Sequence, residues 1–536
     1  MNDADAIVVG SGASGGWAAK ELSEAGLRVL LLEAGPERKP ARAGRAWATR
    51  LWRHARGAQT VQELHSEYWI KDPNLFVKDK EQGYSTPPDR PFVWIRGRQL
   101  GGRTLLWGGV TLRLSDYELQ APERDGDGAR WPIRYRDLAP HYDRIERFLR
   151  IHGTREGLPQ LPDGRYVGAR PLTRAERRLR DGVAAAWPDR RLIPSRGLAL
   201  QRHGGREPRL NSVGTSIAAA RATGRLQVRT GAAVSHLIPG GRAGRAGGVM
   251  FVDAATGAAH AARARLIVLC ASTIETVRIL LASRMEHPEL PVCESDCLGR
   301  YLMDHVIVGT AVEMDGVPYD PPAPFTGADS FLVPRFQNLD GVGVERFLRG
   351  YGLWGIIQRR GYAGRRGRPA LGLVVAQGEM LPRADNRVDL NGERCADGLR
   401  GVHISCAWGD NDRAMHAAMG TAVEEMMDAA GGRTVRRFGS LARLPGLLGL
   451  PARLERFWLE PPPGAFVHEV GGARMGSDPA ASVVDARNRC WGLPNVLVTD
   501  GACWPSSGWQ SPTLTMMAVT ARACSLAMDD LRRGGL

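Results

Sequence analysis

The first 35 residues alternate between apolar runs and a glycine-rich turn. The run DAIVVG at 5–10 leads into the turn GSGASGG, then a stretch with helical spacing, WAAKELSEAG, and a second apolar run, LRVLLLEAG, at 27–35. Short apolar runs rich in β-branched residues predict strands, and the spacing between them predicts a helix. This part of the chain therefore predicts a βαβ unit.

The same alternation returns between residues 224 and 284. The runs GRLQVRTGAAVSHLI and RARLIVLCAS resemble strands, and GGRAGRAGG between them is typical of a hairpin-like loop. The next segment, ASTIETVRILLASR, places Ile274, Val277, Leu280 and Leu281 at helical spacing. Strands that alternate with helices predict a parallel sheet covered by helices.

The middle of the chain, about 306–460, has a different pattern. Strand-like runs (DSFLVPRF, YGLWGIIQRR, ALGLVVAQGEM and GVHISCAW) lie between polar turns, and the helix-like NDRAMHAAMGTAVEEMMDAAG follows them. This pattern predicts a second unit built on an antiparallel sheet with helices. The stretch GSLARLPGLLGLPARLERF at 439–457 is expected to be a loop with a short helix.

Composition and charge narrow the class of protein. The chain has 536 residues, a net charge of +15 and 72 basic residues, of which five are lysines. The arginines are spread along the chain and lack interleaved aromatic residues, so we expect no nucleic-acid binding. The eight cysteines form no paired CxxC and no zinc-type cluster, which predicts free thiols and no metal site. The chain has no uninterrupted run of about 18 apolar residues, so we expect no membrane span. The N-terminal residues lack a signal-peptide pattern, which predicts a cytoplasmic location.

The turn after the first predicted strand carries a nucleotide-binding motif. Gly10, Gly12 and Gly15 form G-x-G-x-x-G between a predicted strand and helix, and Glu33 follows Gly12 by 21 residues at the end of the next strand. Such glycines allow backbone N–H groups to approach a pyrophosphate at a helix N-terminus, and the acidic residue can accept from ribose hydroxyls. The motif predicts a dinucleotide site without specifying which dinucleotide.

Six blocks in order resemble one enzyme family. They are the glycine motif at 10–15, GRQLGGRTLLWGG at 97–109, WPIRYRDLAPHYDRIE at 131–146, IVLCASTIETVRILLAS at 267–283, GRYLMDH at 299–305, and the segment from GAFVHEVGGARMG at 464 to about 528. Together they resemble the glucose–methanol–choline (GMC) flavin oxidoreductases, and most closely their pyranose and glycoside branch. The resemblance implies FAD, and an α/β fold in which a Rossmann-type FAD-binding domain with a parallel sheet is interleaved with an α+β substrate domain built on an antiparallel sheet.

The resemblance also implies domain boundaries and cofactor contacts. The FAD-binding parts would be 1–45, the loop 91–112, 201–305 and 461–536, the connecting lid 46–90, and the substrate parts 113–200 and 306–460. The cofactor contacts would be Gly10, Gly12, Ser14, Gly15 and Glu33 at the ADP half, Val234 beside the adenine, Gly101, Gly102, Thr104, Trp107 and Gly109 along the phosphate and ring, Asp500 and Gly501 at the pyrophosphate and ribityl chain, and Pro512 and Thr513 at the pyrimidine ring. A helix that begins at Pro512 would offer its N-terminal N–H groups to the negative charge of a reduced flavin.

The catalytic assignment centres on His468. Alcohol oxidation needs a group that takes the hydroxyl proton while hydride leaves carbon, and His468 matches the family's catalytic histidine. The family usually has histidine or asparagine before the Pro-Thr of the last helix, whereas this chain has Gln510 and Ser511 there. Serine is no base at neutral pH, so Ser511 or Gln510 would orient the hydroxyl instead.

The expected mode of FAD binding is non-covalent. Relatives that tether FAD carry a histidine in the second glycine loop, about at the position of Leu106, and leucine cannot form that bond.

The expected activity is oxidation of a CH–OH group of a small sugar, glycoside or polyol, with electrons passed to oxygen or to a quinone or protein carrier. A natural-product tailoring step is one role that fits this activity. Three alternatives stay open at this point. A flavin-containing lyase of the same fold would keep the cofactor without net redox chemistry. An NAD(P) dehydrogenase explains only the first 35 residues, and a basic binding protein explains neither glycine motif.

Overall fold

The computed structural model describes residues 4–38, 73–78, 82–198, 210–293, 295–318, 330–341, 343–359, 367–437 and 462–535. The predicted loop at 439–457 and most of the predicted lid at 46–90 lie outside the described residues.

The helices of the described residues are spread along the chain, and several of them lie between β2 (Val29–Glu33) and β3 (Ile193–Pro194). They are α1 (Ala13–Glu24), α2 (Asp116–Leu119), α3 (Pro122–Asp125), α4 (Tyr135–Leu149), α5 (Arg174–Ala186), α6 (Ser216–Ala222), α7 (Thr273–Glu286), α8 (Asp410–Ala429) and α9 (Thr513–Arg532).

The first group of strands forms a mostly parallel six-stranded sheet. In spatial order its strands are β16 (Arg489–Cys490), β17 (Leu493–Val498), β8 (Leu266–Leu269), β1 (Ala6–Val9), β2 (Val29–Glu33) and β4 (Leu226–Thr230). The pairs from β17 to β4 are parallel, and only the short β16 runs antiparallel to its neighbour.

The remaining strands form separate antiparallel sheets. A six-stranded sheet has the order β15 (Gly432–Arg437), β9 (His305–Met314), β12 (Ala370–Glu379), β11 (Tyr351–Ile357), β10 (Phe331–Val333) and β3 (Ile193–Pro194). The strands β5 (Ala232–Pro239), β6 (Ala246–Asp253) and β7 (Ala259–Arg263) form a meander, and β13 (Arg387–Arg394) pairs with β14 (Arg400–Ser405). The predicted α/β class, with its parallel and antiparallel sheets, is confirmed.

Two strand placements differ from the prediction. The run around Val234 forms β5 of the meander instead of joining the parallel sheet, and GVHISCAW forms β14 of a two-stranded hairpin instead of joining the six-stranded antiparallel sheet. Ser235 and His236 are half-buried in β5, whereas every residue of β8 is buried. A strand with polar, half-exposed positions suits an antiparallel sheet that is open on one face.

The parallel sheet is buried on both faces. Val8 and Leu31 pack on one side with Ala18 of α1 and Ala523 of α9, while Ile7 on the other side belongs to the main core. Burial on both faces explains why β1, β2 and β8 are continuous apolar runs without polar alternation.

The carboxyl ends of four parallel strands meet at one edge of this sheet. Gly10 follows β1, Glu33 ends β2, Cys270 follows β8, and Asp500 comes two residues after β17. In open parallel sheets, ligands bind in the crevice outside these carboxyl ends. The antiparallel sheet approaches the same region, because β9 begins at His305 and Gln377 of β12 donates to the Trp509 carbonyl over 2.7 Å.

Among the described residues we find no helix that combines the length and the apolar composition needed to cross a bilayer.

Candidate active site

The turn between β1 and α1 has glycines where a side chain cannot fit. Gly10 has a φ of +93°, and a Cβ there would lie 2.3 Å from the Cys270 carbonyl oxygen. A Cβ at Gly15 would lie 1.8 Å from the Gly10 carbonyl oxygen, so both positions require glycine. Gly12 is different, because no atom lies within 4 Å of the position its Cβ would take. The open space at Gly12, at the N-terminus of α1, suits the close approach of a phosphate group.

Glu33 closes the same turn from the end of β2. Its buried carboxylate accepts from the Ser11 backbone N–H (3.1 Å), the Ser11 hydroxyl and the Gly35 backbone N–H (2.9 Å). Burial raises the pKa of Glu33, and these donors oppose the rise. The hydroxyl of Ser14, in the first turn of α1, is buried without a hydrogen-bond partner among the described residues.

The second glycine loop packs directly on the first. Gly101 has a φ of +93°, and a Cβ at Gly102 would lie 3.4 Å from the Cα of Gly12. The Gly101 backbone N–H donates to the Ser11 hydroxyl over 2.8 Å, and Thr104 donates back to the Gly101 carbonyl over 2.5 Å. The two loops therefore form one surface made largely of main chain.

Other members of the predicted cofactor set lie along this loop and near α7. Trp107 is half-buried and donates to the Leu210 carbonyl over 3.1 Å, and Gly109 has a φ of +72°. Val234 is buried in β5, and its carbonyl accepts from the guanidinium of Arg278 over 2.8 Å. The Val234 carbonyl therefore already accepts one hydrogen bond from the protein.

Asp500 joins the last segment of the chain to α7. One carboxylate oxygen accepts from the Thr276 hydroxyl (2.6 Å) and the Ser272 backbone N–H (3.0 Å), and the other caps a short 3-10 turn at Gly501–Cys503. Burial raises the pKa of Asp500 to about 6. A Cβ at Gly501 would lie 2.6 Å from the Thr273 hydroxyl, so the turn is tightly enclosed.

The last helix begins at Thr513, one residue later than predicted. Pro512 occupies the N-cap position, and α9 runs from Thr513 with Leu514, Met517 and Ala518 buried on one face. Its N-terminus follows the loop 506–511, which contacts the antiparallel sheet.

His468 lies in a loop that one carboxylate holds in shape. The buried carboxylate of Asp304 accepts three backbone N–H groups, those of Gly464 (2.8 Å), His468 (3.1 Å) and Phe466 (3.2 Å). Burial raises the pKa of Asp304 to about 7, and the backbone donors oppose this. Val467 in this loop has a φ of +64°, a conformation that strains a β-branched residue.

A second histidine contacts His468. The Nδ1 atoms of His305 and His468 lie 3.0 Å apart, the ring planes meet at 79°, and the Nε2 of His305 lies 2.9 Å from the Gly508 carbonyl oxygen. Burial lowers the pKa of His305 to about 4, and burial together with His305 and Arg103 holds the pKa of His468 well below its usual value. Both rings are therefore neutral at pH 7.

Arg103 connects the second glycine loop to the histidine loop. Its guanidinium donates to the Val467 carbonyl (2.8 Å), to the carboxylate of Glu469 (2.5 Å) and to the Ser272 hydroxyl (3.0 Å). Glu469 is buried, and its backbone carbonyl also accepts from the Thr273 hydroxyl. One guanidinium thus links three segments that lie far apart along the chain.

The two residues before the last helix differ in their surroundings. Gln510 is fully buried, and neither its amide oxygen nor its amide nitrogen has a hydrogen-bond partner among the described residues. Ser511 is half-buried. Within the part of the chain that the structure describes, neither side chain bonds directly to His468.

Two family models match this chain. The N-terminal GMC oxidoreductase model matches residues 4–307, and the C-terminal model matches residues 382–520. The chain belongs to the GMC oxidoreductase family. Members of this family bind FAD.

Individual relatives agree with the family assignment. This GMC oxidoreductase is 26% identical to a 2-methyl-1,2-propanediol dehydrogenase of Mycolicibacterium austroafricanum, covering 97% of this chain and 94% of the relative. It is 27% identical to a 6'''-hydroxyparomomycin C oxidase of Streptomyces lividus, covering 97% and 90%. The solved formate oxidase of Aspergillus oryzae has the same fold, with a TM-score of 0.66, 15% identity and 99% of each chain covered.

The residues of this GMC oxidoreductase fit FAD. Among the described residues, three features would be completed by a bound polar ligand: the open space in front of Gly12, the hydroxyl of Ser14 and the amide of Gln510, both of which lack a partner there. The predicted FAD contacts in the two glycine loops, at Asp500 and at the start of α9 lie at one edge of the parallel sheet. Their individual contacts with FAD remain predictions.

Several residues of this site were missed from the sequence. Asp304 and His305 end the block GRYLMDH, and Arg103 stands inside the second glycine loop, but the motifs themselves do not indicate that these residues contact His468 or its loop. Ser11 and Glu469 were missed in the same way. Their adjacency to motif residues was the available signal, whereas the contacts themselves span up to 366 residues.

Proposed function

We propose that this chain oxidises a CH–OH group of a sugar, glycoside or polyol, with His468 taking the hydroxyl proton. When bound, FAD would accept the hydride from the same carbon. The observation that carries the proposal is a neutral, half-buried histidine that Arg103 links to the second glycine loop. A neutral imidazole can accept a proton, and its loop is held in place beside the main-chain surface that fits the cofactor.

The relatives support the substrate class. One relative is named as a dehydrogenase of a small diol and the other as an oxidase of hydroxyparomomycin, and both match along nearly the whole chain. The amide of Gln510, which lacks a partner among the described residues, offers two N–H donors and an acceptor oxygen to substrate hydroxyls, and Ser511 adds a hydroxyl beside it. These two residues would orient the substrate rather than take its proton.

The decisive experiment is anaerobic mixing of the FAD-loaded protein with a panel of sugars, glycosides and polyols. We expect bleaching of the flavin with at least one compound, and air reoxidation then separates an oxidase from a dehydrogenase that needs a quinone or protein carrier. His468→Ala should keep its flavin and lose about 10²–10⁴ in the reduction rate. His287→Ala, at a histidine paired with Glu289 outside the site, is the matched control. Turnover without bleaching would instead establish the lyase activity.

We also propose that FAD is held without a covalent bond. Leu106 is buried in an apolar cluster with Leu75, Phe76, Val93 and Ile95 and offers no nucleophile. After acid precipitation the yellow colour should stay in the supernatant, and colour in the pellet would contradict this. A cytoplasmic location also remains a prediction, and fractionation of the cells that produce the protein would test it.

A further inference from the structure

The contact between the two histidine rings fixes where their protons lie. A backbone carbonyl oxygen carries no proton and can only accept a hydrogen bond. The Nε2 of His305, 2.9 Å from the Gly508 carbonyl oxygen, must therefore be the donor in that contact. A neutral imidazole carries a single ring proton, so the Nδ1 of His305 has a lone pair and acts as an acceptor.

The same reasoning passes to His468. The Nδ1 of His468 lies 3.0 Å from the Nδ1 of His305, and the Nδ1 of His305 is the acceptor in this contact. A hydrogen bond forms only if the Nδ1 of His468 carries the proton. A neutral His468 then has its lone pair at Nε2, on the opposite side of the ring from His305.

We infer that His305 is a positioning residue that selects the Nδ1–H tautomer of His468 and so leaves Nε2 as the proton acceptor. This inference rests on the proposed role of His468 and names the atom that would take the hydroxyl proton. When Nε2 accepts that proton, the bond from Nδ1–H to His305 remains, so His305 itself gains and loses nothing.

The opposite tautomer of His468 is disfavoured by the same contact. With its proton on Nε2, His468 would face His305 with two lone pairs 3.0 Å apart. A buried acceptor without its donor loses a hydrogen bond, which lowers the population of that tautomer by at least about tenfold. Without the contact, the two tautomers of a neutral histidine compete, and part of the population cannot act as a base at Nε2.

The fold holds His305 in the geometry that this role requires. His305 is the first residue of β9, and its neighbour Asp304 fixes the loop of His468 through three backbone N–H groups. Phe466 contacts both imidazoles edge-on, with ring centroids 5.9 Å from His305 and 4.5 Å from His468. The two rings therefore have little freedom to rotate away from each other.

Two substitutions separate tautomer selection from packing. In His305→Asn, the amide oxygen can take the position of Nδ1 and accept from His468. In His305→Gln, the amide nitrogen can reach the position of Nε2 and donate to the Gly508 carbonyl, but no acceptor faces His468. We expect anaerobic flavin reduction in His305→Asn to stay within about tenfold of the wild type and to be at least about tenfold slower in His305→Gln, inside the ~10²–10⁴ that a base contributes. Equal rates in the two variants, at equal flavin content, would overturn the inference.

A spectroscopic measurement tests the tautomer directly and needs no variant at position 305. Nitrogen NMR of the FAD-loaded wild type with labelled histidine rings, with His468 assigned from its missing signals in His468→Gln, distinguishes a protonated Nδ1 from a protonated Nε2. We expect Nδ1 of His468 to be protonated at pH 7, and a protonated Nε2 would overturn the inference whatever the variants do. A wild-type rate in His468→Ala together with a protonated Nδ1 would overturn the proposed function and leave the tautomer assignment standing.

Discussion

Replacement of Arg103 by methionine tests whether the guanidinium holds the histidine loop. Methionine keeps much of the apolar stem but removes the donors to Glu469 and to the Val467 carbonyl. The carboxylate of Glu469 is only 2% exposed, and one of its oxygens already lacks a partner among the described residues. Breaking a buried ion pair from one side costs about 3–5 kcal/mol.

The partial exposure of Arg103 reduces that figure. Its side chain is 26% exposed, so water screens part of the interaction, and we expect a loss of about 2–3 kcal/mol in the free energy of unfolding. In Arg103→Met combined with Glu469→Gln, no carboxylate is left unpaired, so the double variant should be more stable than the sum of the single changes by about 1–3 kcal/mol.

The assay is urea unfolding of the wild type, both single variants and the double variant at one fixed excess of FAD, because bound cofactor shifts apparent stability. Flavin content of each variant is measured beforehand, since Arg103 adjoins the second glycine loop. Additive effects of the two substitutions, within about 0.5 kcal/mol, would refute the idea that Arg103 acts through Glu469.

Three further predictions follow from individual positions. Gly12→Ala should fold normally, because no described atom lies near its added Cβ, but it should bind FAD more weakly. Gly15→Ala should bind FAD more weakly and also be less stable, because its Cβ collides with main chain. Flavin titration measures the affinity of both variants and unfolding measures their stability. Val467→Gly should change stability by no more than about 1 kcal/mol. Relief of strain at a φ of +64° offsets the greater flexibility of glycine when unfolded and the loss of the side chain from the apolar cluster of Leu106; a loss above about 2 kcal/mol would contradict this. Folding lowers the pKa of His305 to about 4, so the stability that its neutral ring contributes is complete above pH 6.5 and decreases as pH falls towards 4. Between pH 7 and pH 5 the wild type should therefore lose about 2 kcal/mol more in the free energy of unfolding than His305→Asn. Unfolding at both pH values measures this difference.

The first βαβ unit could be predicted because each of its elements has a strong local signal. Continuous apolar runs form β1 and β2, and Gly10 and Gly15 between them occupy positions where a Cβ would collide with main chain. The meander was harder to predict, because β6 and β7 mix small, polar and apolar residues and their pairing depends on β5.

The site was only partly predictable for a different reason. His468 could be predicted from a motif, but its partner His305 lies 163 residues away, and the backbone pairing of Met303 with Val470 helps to bring them together. The role of Asp304 likewise depends on three backbone N–H groups, which carry no sequence signal. A motif thus predicts the reacting group, while the groups that would orient it emerge from tertiary structure.

The spatial order of the parallel sheet has a consequence for how the protein is made. β1 is flanked by β2 and β8, and β17, which covers the far side of β8, ends at Val498. Until the ribosome has released that segment, a nascent chain exposes an unpaired apolar edge at β8, a surface prone to aggregation and to capture by chaperones. The predicted FAD contacts also extend from Gly10 to Thr513, so the complete set exists only after most of the chain has emerged. If these contacts hold FAD, a nearly fully synthesised apoprotein precedes the loaded enzyme.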